Sequence, residues 1–145
     1  MLLGQHRLSL DDEHSLTIPL PLRQVLAEGA YITRGFEQDL LIMSEKVFQE
    51  VYQRVVALNL ADPMARLLLR LVLGHAARTE VDSSGRMRIP PELADFAGLE
   101  KEIILVGQGD YCEVWAPTQW ERQAANLRDV EANSDRFAQL DLALS

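Results

Sequence analysis

The 145 residues carry 22 acidic against 14 basic side chains, a net charge of −8, with 48% of residues hydrophobic and 25% charged. That balance describes a folded globular chain, long enough for one ordinary domain or two very small ones sharing a core. It argues against indiscriminate nucleic-acid binding, because the field of the whole molecule repels phosphate. One cysteine, Cys112, excludes an intrachain disulfide and a multi-cysteine zinc site, which fits a reducing cytosol.

The start, Met1 to Leu10, has no positive segment followed by a long apolar run and is not expected to be a signal peptide. Residues 5–10 and 15–18 alternate apolar and polar side chains and predict two short strands around a polar turn, ended by Pro19. Leu22, Val25 and Leu26 supply a short helical face closed by Gly29. Two more strands are expected at Tyr31–Thr33 and Leu40–Met43. Ser44 then caps a helix running to about Leu60, with Val47, Val51, Val55 and Leu58 on one face. Asp62-Pro63 opens a second helix reaching about Ala76, apolar nearly all round and so expected to be covered by the other half of the chain or by another subunit. Arg66, Arg70 and His75 keep its apolar run, Leu67–Leu73, far below a membrane span.

From there the chain restarts. Leu10-Asp11-Asp12-Glu13-His14-Ser15-Leu16-Thr17-Ile18-Pro19 is nearly repeated, 71 positions later, by Val81-Asp82-Ser83-Ser84-Gly85-Arg86-Met87-Arg88-Ile89-Pro90. After one inserted residue the offset becomes 72, so that Gly107 matches Gly35, Val114 matches Ile42 and Trp115 matches Met43. Pro117 opens a last helix behind a poor cap, Ala116, and beyond about Arg128 the sequence turns acidic and weakly periodic, as in a frayed tail. The expected organisation is a first half-domain at 1–61, a connecting apolar helix at 62–76, a second half-domain at 77–125 and an acidic tail at 126–145. Two tandem β-β-α-β-β-α units are too small to own separate cores and must pack on each other or interleave. The fold class is α+β.

The apolar positions of the two copies are shared and need only packing. The outward positions differ. Arg86 and Arg88 point away from Met87 and Ile89, where the first copy offers Ser15 and Thr17. Gly85 permits a positive φ at the turn, and Asp82, like Asp11, is suited to shape the turn by accepting backbone hydrogen bonds. Two arginines two apart beside a tight turn can reach phosphates and guanine edges together. The plain alternative is that they are solvated or paired with an acid such as Glu80 or Glu92. His6, His14, His75 and Cys112 lack metal-ligand spacing, and no nucleophile is set beside a base, so neither an enzyme, nor a cofactor, nor a small-molecule substrate is expected.

Leu3-Gly4, the two Asp-containing repeats, Pro90-Pro91-Glu92-Leu93, Phe96-Ala97-Gly98-Leu99, and Val106-Gly107 with Trp115 and Trp120 resemble the MraZ family over about residues 1–125. The resemblance implies two tandem AbrB-type swapped-hairpin half-domains folded together as a pseudo-dimer barrel with flanking helices, assembled into a ring. It implies a cytoplasmic, nucleoid-associated regulator that binds double-stranded promoter DNA of the division and cell-wall gene cluster, including its own gene. In that family the Asp-x-x-Gly-Arg hairpins face DNA. Asp82, Gly85 and Arg86 match the pattern and Arg88 extends it on the same face. The first copy has His14-Ser15 in place of Gly-Arg, which leaves Ser15 and Thr17 for shape, hydroxyl or subunit contacts. An AbrB-type antitoxin, or a ring-forming scaffold that has lost DNA binding, are the alternatives.

Overall fold

The computed structural model describes residues 1–140; the last five residues of the expected acidic tail lie outside it. In chain order the elements are β1 (Gln5–Ser9), β2 (Ser15–Thr17), α1 (Leu20–Arg23), β3 (Ala30–Arg34), β4 (Leu40–Ser44), α2 (Glu45–Val56) and α3 (Pro63–Val72). Then follow β5 (Ala77–Thr79), β6 (Arg86–Arg88), α4 (Pro91–Ala97), β7 (Glu102–Gly107), β8 (Tyr111–Trp115), α5 (Pro117–Arg128) and α6 (Val130–Phe137). The repeat expected from sequence is thus present element by element.

The halves interleave. The main sheet runs β1-β7-β8-β4-β3-β5, all neighbours antiparallel, and among the described residues β2 pairs only with β6, in a separate two-stranded ribbon. The first strand of each half therefore lies on the other half: β1 on β7, and β5 on β3. The short strands either side of each polar turn do not pair with each other. Neither half has a closed set of strands alone, which is the structural form of the argument that each is too small for its own core.

Alternation along the strands assigns two faces. Ile32, Leu40, Ile42, Ile103, Leu105 and Val114 face inward and share one core with Leu16 and Met87 of the ribbon, with Ile18 and Ile89 just past its strands, and with Leu22 and Leu93 behind it. On the opposite face Leu41 and Met43 lie under Phe48, which stacks on Tyr31 with ring centroids 4.0 Å apart. Ile104, Val106 and Trp115 lie under Trp120. Cys112 is buried in the core, where desolvation pushes its thiol up to about 12, so it packs as a small apolar residue.

The helices start where the caps predict. Ser44 Oγ accepts from the Val47 N–H (3.2 Å), and Asp62 Oδ1 accepts from the Met64 N–H (2.9 Å) with Pro63 in the first turn. They end earlier than their periodicity suggests. α2 stops at Val56, with Asn59 shaping a turn by accepting from Ala61 N–H, and α3 stops at Val72, because the chain must straighten into β5 by Ala77. α3 buries Ala65 and Val72 but leaves Met64 and Leu67 exposed, so within one chain it is only half covered. After Arg128, where irregular structure was expected, Asp129 caps α6 by accepting from the Ala132 N–H (3.1 Å); no residue of α6 is buried. Among the described residues no helix is long and apolar enough to cross a membrane.

Candidate nucleic-acid interface

The ribbon and the turns that lead into it carry every site residue expected from sequence. Its register sets Ser15 opposite Arg88, Leu16 opposite Met87 and Thr17 opposite Arg86. Leu16 and Met87 point into the core, which turns Ser15, Thr17, Arg86 and Arg88 to the other side; all but the half-buried Ser15 are exposed. Residues separated by about 70 positions thus form one outward surface. The two copies do not make two sites.

Each strand of the ribbon is delivered by a turn, and the two turns are the same in backbone. Asp11 Oδ1 accepts from the Glu13 and Ser15 N–H groups, both at 2.9 Å. Asp82 Oδ1 accepts from the Ser84 N–H at 2.8 Å and the Arg86 N–H at 2.9 Å. The turns are closed by Asp11 N–H to Ser15 O (3.0 Å) and by Asp82 N–H to Arg86 O (2.9 Å). Both aspartates therefore shape turns, as their positions suggested. Their carboxyls titrate below the usual range: Asp11 chiefly through the Ser15 N–H, helped by the Glu13 N–H and Arg86, and Asp82 chiefly through the Arg86 N–H, helped by the Ser84 N–H and by the charges of Arg86 and Arg23; partial desolvation opposes the shift in both. Gly85 has φ +82°, the left-handed conformation expected of it, and His14 at the matching position adopts φ +60° despite its side chain. The turns also brace one another. Ile18 N–H donates to Gly85 O (2.7 Å) and Ile89 N–H donates to His14 O (2.8 Å).

The side chains break this symmetry. Arg86 is ion-paired with Asp11 of the other repeat, and Arg88 Nε donates to the Glu13 carbonyl at 3.2 Å. Of the acids named from sequence as partners, Glu80 is taken instead by Arg78 (2.6 Å), and the acid that pairs with Arg86 belongs to the first turn. Both arginines of β6 are held by the turn that has no arginine of its own.

A model for the family described as "MraZ protein, putative antitoxin-like" matches this chain twice, over residues 1–71 and 72–141. A protein of Thermomicrobium roseum called transcriptional regulator MraZ is 37% identical over 127 residues, 88% of this chain and 89% of that protein. One of Roseiflexus sp. strain RS-1, with the same name, is 35% identical over 139 residues, covering 96% of this chain and 95% of its own. The chain belongs to the MraZ family.

One residue at this surface was not visible in the family motif. Arg23, from α1, donates through Nε to Ile18 O (2.8 Å), and its guanidinium lies against Gly85, where any Cβ would run into it. Gly85 is thus constrained by its φ, while the guanidinium over it is the end of a flexible side chain that can shift. The signal in the sequence was a break in the repeat, since the residue 71 positions after Arg23 is Ala94.

Proposed function

We propose that this chain is a sequence-specific, DNA-binding transcriptional regulator that reads duplex DNA with the outer face of the β2–β6 ribbon. Arg86 and Arg88 supply the charged contacts to phosphate and guanine edges, Ser15 and Thr17 supply hydroxyls beside them, and Asp82 and Gly85 hold the turn that presents Arg86. The observation that carries this reading is the convergence of those side chains, from both repeats, on one exposed strand pair. The relatives' name, transcriptional regulator, agrees with it. The target is the promoter of a division and cell-wall gene cluster that includes the chain's own gene, and the protein works in the cytoplasm at the nucleoid.

The net charge of −8 is the obstacle. Self-association answers it. Tyr52, Val56, Leu60, Met64 and Leu67 are all exposed on and between α2 and α3, an apolar face suited to joining copies into a ring. Copies of the ribbon on one rim would then form a locally basic band, and simultaneous contacts to repeated boxes multiply weak single ones.

Fluorescence anisotropy with a duplex from upstream of the chain's own gene tests the reading. Arg86→Ala should weaken binding about tenfold or more, whereas Arg7→Ala, which opens an exposed pair with Glu102 on β1, should change it little. Equal affinities for wild type and Arg86→Ala exclude the assignment. With few arginine contacts per subunit, the dependence of log affinity on log salt should also be shallow per subunit. The family description as antitoxin-like favours one second reading, neutralisation of a small toxin, which copurification of such a protein from the source cell would reveal.

A further inference from the structure

We propose that Asp11 is a built-in competitor that lowers the affinity of this interface: its carboxylate occupies Arg86 in the free protein, so that DNA must displace it before the arginine is read out. This rests on the ribbon being the DNA-binding surface. The division of labour between the two carboxylate oxygens is the basis. Oδ1 is committed to the turn, accepting from Glu13 and Ser15, while Oδ2 is the oxygen that meets the Arg86 guanidinium. A carboxylate oxygen on a guanidinium occupies the place a phosphate oxygen or a guanine acceptor would take.

The pair is exchangeable. The side chains are 49% and 40% exposed, so the bond is open to solvent and to a competing anion. It is also one-sided. Asp82 holds the matching place in the second turn, but the residue that would pair with it is Ser15, which has no charge to offer. Arg88 is held differently, by the neutral Glu13 carbonyl, so its charge is not cancelled by that contact. Asp12, Glu13, Glu80 and Asp82 add further negative charge around the ribbon. A bare phosphate therefore meets an arginine already neutralised. DNA takes the arginine over by offering a phosphate oxygen or a base-edge acceptor in the carboxylate's place. Every complex that uses Arg86 gives up the same ion pair, so Asp11 lowers affinity by the same factor wherever the arginine is engaged and leaves the ratio between sequences unchanged.

Asp11→Asn keeps an oxygen acceptor for the turn and removes the charge. Binding is measured by anisotropy to the upstream duplex and to a mixed-sequence duplex of equal length. Asp11→Asn should tighten binding to both duplexes by the same factor, about two- to fivefold per site, the range of an exposed pair. The gain should vanish in an Arg86→Ala background. Asp12→Asn makes the same change in net charge in the same turn without touching Arg86 and serves as the control. Should Asp11→Asn fail to fold, Asp11→Ser keeps a side-chain oxygen at the turn and carries the same expectation. Loss of binding in Arg86→Ala together with unchanged or weakened binding in Asp11→Asn overturns this proposal and leaves the DNA reading standing. So does an equal gain from Asp12→Asn. Equal binding by wild type and Arg86→Ala overturns both.

Discussion

The turn at Asp11–Ser15 and the turn at Asp82–Arg86 share a backbone and the aspartate that shapes it, and differ in every other charged side chain. Their hydrogen bonds correspond one for one at an offset of 71 residues, down to the left-handed residue, His14 in one and Gly85 in the other. What lies over that residue differs in step. Arg23 covers Gly85, while the position matching Arg23 is Ala94, which carries no guanidinium. The glycine and its arginine go together, as do the histidine and its alanine. The two copies share the aspartates and the apolar residues that fold the ribbon and differ in the side chains around them, the left-handed position included.

The sharpest way to break the comparison is to attack the part both copies share. Leu16 and Met87 face each other across the ribbon and are 2% and 1% exposed. Since Leu16 and Met87 are themselves matched at the offset of 71, the pseudo-twofold axis passes between them. Each truncation should therefore act on both turns at once. Leu16→Ala and Met87→Ala should each cost about 2–5 kcal/mol in chemical denaturation. A marked inequality would mean that one repeat carries the ribbon and the other merely lies on it.

The other seam centred on the pseudo-twofold axis, β4 against β8, tests asymmetry through pH. Its register centres on Leu41 opposite Glu113, residues matched at the offset of 72, and the apolar residue on one side answers a carboxylate on the other. Asp39, 1% exposed, lies by Glu113, whose Oε1 also accepts from Trp115 Nε1 and Gln108 Nε2, both at 3.1 Å. Burial, with the Glu113 charge second and Glu37 adding to it, pushes Asp39 up to about 7, although the Glu37 N–H donates to it; Tyr111 titrates higher than usual in the same surroundings. The folded state then holds a proton that the unfolded chain has released, from about pH 4 to about pH 7. Stability should fall as pH rises through that window, by up to about 1.4 kcal/mol per pH unit, and level off above it. Thermal melts across that range should show the slope, and Asp39→Asn should flatten it. A wild-type melting temperature that rises from pH 5 to 7.5 would show that Asp39 is charged in the fold.

Much of this was legible in the sequence, for local reasons. Alternation marked the strands, Ser44 and Asp62 marked helix starts, and Asp11, Asp82 and Gly85 marked the turns, because each acts within a few residues of itself. Pairing was not legible that way. The stretch that reads as a hairpin around each turn is two strands that part company, and only the repeat, through its family resemblance, implied the exchange. Interactions between distant residues were the least visible. Asp11 and Arg86 are 75 positions apart, and Arg86 had nearer acids, Glu80 and Glu92, to suggest as partners. Arg23 was hidden for the same reason: α1 reads as a scaffold, and its guanidinium meets the other repeat only once the halves interleave.

The smallest expected effect returns to the two turns. His14 holds φ +60°, a conformation that costs an ordinary L-residue roughly 1–2 kcal/mol and somewhat less for histidine, which visits it more readily. Glycine removes that penalty but loses more chain entropy on folding, roughly 0.5–1 kcal/mol. His14→Gly, which restores the residue that Gly85 supplies in the second turn, should therefore stabilise the protein by about 0.5 kcal/mol. Ala94 leaves the change without the arginine that presses on Gly85, so nothing beyond the backbone should be altered. A rise of about 1–2 °C in melting temperature is the expected reading for a chain of this size. A fall would mean that the half-buried His14 side chain itself holds the first turn in place, and that the histidine is a replacement for the glycine rather than a tolerated loss.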